Sequence, residues 1–224
     1  MRSLPLPLAL AARLSPVVVL ACAGWAMSSS PASPEDSAAP GDGTTQQTRA
    51  GTDDPSASPA VTKAYAAAPA PCGSVSEKTV TSLVPGAKTA GKEIPSTDAK
   101  IRRTCSWNAL KGFDYRWLDV SFEIMDTEDA AVKSYKARTG EKSGGGAVPG
   151  LGDEAYSVVN LTTEDKQQTR EGVVFARSAN ALVVVTYNGS DFETKKAPDT
   201  STINTGAIKA AKEAMAALLG SKAG

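Results

Sequence analysis

The stretch "YRWLDVSFEI", residues 115–124, decides the fold. Leu118, Val120, Phe122 and Ile124 alternate with Asp119, Ser121 and Glu123. A period of two puts one set on a core face and the other on the opposite face, so the stretch reads as a half-buried strand. "IRRTCSWNAL", residues 101–110, reads as a second strand, and "KGFD" between them suits a hairpin loop. After the strand, residues 127–138 predict a helix, with Asp126 or Thr127 as its cap and Glu128 and Asp129 at its positive end. Ala131, Val132 and Tyr135 would form its inner face.

Three further strands follow in quick order: "EAYSVVNLT", "REGVVFARS" and "ALVVVTYNG", joined by the turns "EDKQQ" and "AN". The chain ends in "NTGAIKAAKEAMAALLG", where Ile208, Ala211, Met215, Leu218 and Leu219 repeat on one helical face. Before the first strand, "Ser74-Val75-Ser76-Glu77" has capping-box spacing, and Pro85-Gly86 stops the short helix that it opens. Residues 87–100 and the run "EKSGGGAVPGLG" read as loops. The order is therefore α-ββ-α-βββ-α. The expected class is α+β, an antiparallel β-sheet of about five strands with three helices, in a single domain over 71–224.

Three cysteines are present, Cys22, Cys72 and Cys105. Cys72 and Cys105 fall in the domain and make a pair without CxxC spacing. Histidine is absent, so a metal site on these two is a poor expectation. A disulfide is expected, closing a loop of about 34 residues and contributing about 3–4 kcal/mol by chain entropy. Missing histidine also removes the commonest general base. No catalytic residue, metal site or cofactor is assigned from the sequence. Acidic and basic residues number 24 each, so no basic excess points to nucleic acid.

The odd cysteine lies at the end of the apolar run "LSPVVVLACAGW", residues 14–25. The charge-free apolar run goes from Leu14 to about Met27, about 14 residues, short of the roughly 20 that cross a membrane. Residues 1–21 therefore read as a signal peptide. "Val19-Leu20-Ala21-Cys22" resembles a bacterial lipobox, with Leu20 its one departure. The expectation is lipidation at Cys22, anchoring the chain on the outer face of the cytoplasmic membrane. The alternative is a secreted soluble chain released by ordinary cleavage. Residues 22–70, rich in Ser, Ala, Pro and Asp, read as a disordered tether with a coil reach of about 35–40 Å.

"PCGSVSEKTVTSLVPG", "TCSWNAL", "VPGLGDEAY" and "LVVVTYNG", taken with the lipobox-like cysteine and the tether, resemble the DUF3558-like family of actinobacterial secreted lipoproteins. The likeness covers roughly residues 70–220. It implies an envelope location and a disulfide, and no established reaction. "GLGDEA" also matches a dinucleotide fingerprint, but a strand follows it where that chemistry needs a helix.

The expected function is a non-enzymatic, membrane-anchored domain that binds an unknown protein or small-molecule partner. Trp107, Trp117, Asp153, Glu154 and Tyr156 are the candidate contacts. The alternatives are an envelope enzyme with a histidine-free site and a structural accessory of an envelope complex. A pocket beneath the 141–152 loop would favour a ligand.

Overall fold

The computed structural model describes residues 63–140 and 142–222. The expected signal peptide of residues 1–21, Cys22 and the expected tether up to residue 62 lie outside the described residues.

The elements are α1 (Glu77–Leu83), β1 (Lys92–Ile94), β2 (Arg102–Lys111), β3 (Asp114–Ile124), α2 (Glu128–Gly140), β4 (Gly146–Ala147), β5 (Glu154–Glu164), β6 (Gln167–Ser178), β7 (Ala181–Asp191) and α3 (Thr200–Leu219). The class is α+β, with three helices and one sheet among the described residues. The sheet has seven strands in the order β1-β2-β3-β7-β6-β5-β4, every pair antiparallel. About five strands were expected. The two additional strands are edge pieces of three and two residues, both exposed along their length. A piece that short carries no alternation, and its pairing is set by the open edge of the neighbouring strand.

The two faces of the sheet are dressed differently. On the first face Leu118, Val120 and Phe122 of β3 meet Val174, Val183 and Val185, all under α3. Helix α3 offers mostly small residues here: Ala207, Ala210, Ala211 and Ala214, with Ile203, Met215 and Leu218 filling between them. Small side chains let the helix approach the sheet closely. A Cβ at Gly172 of β6 would come within 2.9 Å of Ile203. The helix starts at Thr200 rather than near Asn204, because Asp199 adopts an extended cap conformation just after Pro198. Leu219, expected on the buried face, is exposed.

Helix α1 packs beside α3. Its cap is Ser76, whose Oγ accepts from Thr79 N, rather than Ser74, whose hydroxyl donates to the Pro71 carbonyl. Glu213 of α3 joins the two helices, accepting from Ser76 N at 2.7 Å and Thr79 Oγ1 at 2.6 Å. Burial acts to raise the Glu213 pKa. The hydrogen bonds from Thr79 and Ser76 outweigh it and hold the carboxyl below its ordinary value of 4.5. A lowered folded pKa stabilises above the unfolded value and loses that contribution as pH falls through the folded one. Glu213→Gln is therefore expected to flatten the acid limb of the stability profile below about pH 4.5, read by urea unfolding at several pH values. An unchanged acid limb in the variant would contradict the linkage.

The packed chain begins before Pro71. Tyr65 is fully buried, although it lies in the segment read as tether. Its N–H donates to Asn180 Oδ1, its carbonyl accepts from Asn180 Nδ2, and its hydroxyl meets Ser178 Oγ at 3.1 Å. A lone aromatic among Ala and Pro gives no periodic signal, so composition alone assigns it to the tether. The expected disulfide is present, Cys72–Cys105, with Cys105 buried in the core beside Trp107.

Candidate functional site

The second face of the sheet is only half covered. Helix α2 lies over one end of it, where Tyr135 packs on Val158, Val173, Phe175 and Leu182. Ion pairs hold the helix at both ends. Arg138 meets Glu123 of β3, which is 7% exposed. Glu128 meets Arg177 of β6 at 3.2 Å.

Arg177 also organises the "GLGDEAY" motif. Its buried guanidinium lies 3.1 Å from Glu154 and 3.2 Å from Asp153. Asp153 Oδ2 further accepts from Ala179 N in the β6–β7 turn, where Ala179 takes a positive φ of 45°. Leu151 sits in the core, and Tyr156 donates to the Lys142 carbonyl and accepts from Gly145 N. Asp153, Glu154 and Tyr156 are thus occupied within the chain, clasping the 142–152 segment to the sheet. Gly152 is at φ 65°, and a Cβ there would collide with the Arg177 carbonyl oxygen. Gly152→Ala is expected to cost about 2–3 kcal/mol, from left-handed strain and a backbone collision together. Thermal unfolding within about 1 °C of the parent would contradict this. The space beside this clasp is an open hollow of about 300 Å³ lined by Tyr135, Val148, Leu151 and Asp153.

The two candidate tryptophans separate onto opposite faces. Trp107 pairs with Leu118 in the β2–β3 register, so it turns inward. It is 1% exposed, with Nε1 donating to the Thr89 carbonyl at 2.9 Å. Trp117 pairs with Asn108 and lies half-buried on the uncovered part of the second face. Its Nε1 donates to Asp119 Oδ1 at 2.7 Å, two residues along the same strand, so the indole lies along the sheet.

Tyr115 stands edge-on to Trp117 at 6.3 Å and packs against Phe192 at 6.0 Å. Burial, then the Asp119 carboxylate, push the Tyr115 hydroxyl up, so it remains a neutral phenol. Leu110, Phe113 and Phe192 are each about half exposed at this end of the sheet, at 57%, 56% and 47%. A contiguous exposed apolar patch of this kind marks an interaction surface more often than solvent-facing decoration. The sequence signal for it was available: in a hairpin, the register that turns Trp107 inward beside Cys105 turns Trp117 outward.

Beside Trp117, Ser106 pairs with Asp119 across the hairpin and is 8% exposed; its hydroxyl has no hydrogen-bond partner among the described residues. An open groove of about 560 Å³ begins at Asp119 and Thr104 and runs under residues 94–101. Among the described residues no cluster of His, Cys, Asp and Glu is arranged to hold a metal ion. No described helix is long and apolar enough to cross a membrane.

No family model matches the chain, and no curated protein matches it. A solved structure from Bacteroides thetaiotaomicron VPI-5482 is similar over 53% of this chain at 9% identity, with a TM-score of 0.29. The chain spans about half of that protein's length, 47%. A likeness this distant bears on neither fold nor function.

Proposed function

We propose that this chain is an envelope lipoprotein, anchored through Cys22, whose domain binds a partner without chemical turnover. The observation that carries the reading is the uncovered half of the second sheet face. There Trp117 and Tyr115 of β3 stand together with Phe192, just after β7, while the charged residues singled out in the sequence are consumed by intramolecular pairs. A ready-made aromatic surface with its rings held by neighbours loses little entropy on binding. The disulfide supports an oxidising compartment, and with it export. The likeness to DUF3558-like lipoproteins agrees with this placement and supplies no ligand.

Mass spectrometry of the N-terminus tests the anchor. A diacylglycerol-modified Cys22 is the expected result, and an N-terminus at Gly24 or Met27 would refute it. The binding reading is tested separately with a photo-crosslinker at Thr186, the partner of Asp119 on β7, in the full chain in its own membranes. An adduct at this face is expected, and its absence would remove the reading.

A further inference from the structure

One row of side chains crosses the open face at right angles to the strands. The registers align Asn108 of β2 with Trp117 of β3, Trp117 with Asn188 of β7, Asn188 with Glu171 of β6, and Glu171 with Asn160 of β5. Five strands at about 4.8 Å each make this row about 19 Å long. Each step is close to the length of one pyranose ring. Asn108 and Asn160, at the two ends, are exposed; Trp117, Asn188 and Glu171 between them are half-buried.

We infer that this row binds a neutral glycan strand lying across the sheet; the inference rests on the binding reading above and names its ligand class. Three features of the row point to that chemistry. Each asparagine presents both a donor and an acceptor, which suits vicinal hydroxyls that also do both. Unlike Asn180, whose amide is spent on Tyr65 and Met125, these three make no side-chain hydrogen bond among the described residues. Trp117 lies along the sheet, pinned by Asp119 and Tyr115, and offers a flat apolar surface for the C–H face of a sugar ring.

Charge decides against other extended polymers. The row holds no cation, and Glu171 stands next to its β5 end. Asp119 adds a second carboxylate in the adjacent row, where Lys92 of β1 is the one facing cation. A polyanion such as a phosphodiester chain or an acidic polysaccharide would meet net repulsion here. A peptide strand would pair its backbone with a sheet edge, and this row lies on a face.

Calorimetric titration of the full chain, purified in detergent, with cellohexaose and with fully acetylated chitohexaose tests the inference. Binding of at least one neutral hexamer is expected, with no binding of hexagalacturonate and no weakening between 50 and 500 mM salt, added as about a threefold change in Debye length. Trp117→Ala is expected to weaken binding at least about tenfold, the worth of one stacked aromatic face. Trp117→Phe should retain most of the affinity, which separates loss of stacking from loss of folding. Asn188→Ala should weaken binding several-fold with unchanged thermal unfolding. Failure of both neutral hexamers to bind, or equal binding of the anionic one, would overturn the glycan assignment. The Thr186 crosslinker distinguishes the two failures: a protein adduct ends the glycan inference and keeps the binding reading, and no adduct of any kind ends both.

Discussion

Tyr65→Ala is expected to lower the unfolding free energy by about 3–5 kcal/mol, the range for deleting a buried aromatic side chain. The ring is fully enclosed, with Lys222 Nζ 5.9 Å from its centroid, and its hydroxyl meets Ser178. The substitution leaves a cavity and strands the buried Ser178 hydroxyl together. Urea unfolding of the full chain measures it, and a loss under about 1 kcal/mol would show that the segment before Pro71 merely rests on the domain. A chain beginning at Pro71 should show a similar deficit, because it also loses both hydrogen bonds to Asn180.

The double variant Cys72→Ala, Cys105→Ala should lose about 3–4 kcal/mol. The bridge spans 33 positions, and in the chain-entropy model a loop of that size constrains the unfolded state by about this amount. The sensitivity to urea should rise as well, since the unbridged unfolded chain exposes more surface. Cys105 is buried against Trp107 and the Gly91 turn, where a Cβ on Gly91 would lie 2.6 Å from the sulfur. Alanine at 105 therefore adds a small cavity to the entropic loss. A variant as stable as the parent, with the same urea dependence, would contradict the account.

How much of this was legible in the sequence depended on periodicity. The alternation in β3 gave its inward face residue by residue: Leu118, Val120, Phe122 and Ile124 are all buried on one side. The hairpin β6–β7 was placed by the two-residue turn Ala179-Asn180, and the β5–β6 turn was included in "EDKQQ". There the structure narrows the turn to Asp165-Lys166, both at positive φ, which matches the strand twist and lets β5 and β6 run on to meet it. What lacks a period was not legible. Lys92–Ile94 and Gly146–Ala147 are strands because a neighbour offers them an edge.

The site was legible only in part, for a similar reason. The residues of "GLGDEAY" could be noticed, but their partner Arg177 is 23 positions beyond Glu154 and looked like any strand arginine. The clasp it makes is a long-range fact of register. Trp107 and Trp117 were equivalent candidates on composition, and pairing across β2 and β3 is what separates them. Asn108, Asn160 and Asn188 lie on three different strands, and nothing in the sequence links them to one another. Only the strand order β2-β3-β7-β6-β5 brings them into line with Trp117.

The grip of Asn180 on Tyr65 also has a mechanical meaning. A pull on the chain at Lys63 meets its exposed ion pair with Asp126 and then the two hydrogen bonds between Tyr65 and Asn180, and the third bond from Asn180 to the Met125 carbonyl braces that turn against the end of β3. If they yield, only the few residues up to Cys72 can pay out before the covalent link to Cys105 takes the strain. Cys105 sits within β2, which is paired to β3 along ten positions. Tension arriving there with a component along the strand would have to slide many ladder bonds at once instead of opening them one by one. The fold thus has a short elastic leader followed by a hard stop, which limits how far a load applied at Lys63 can lengthen the chain.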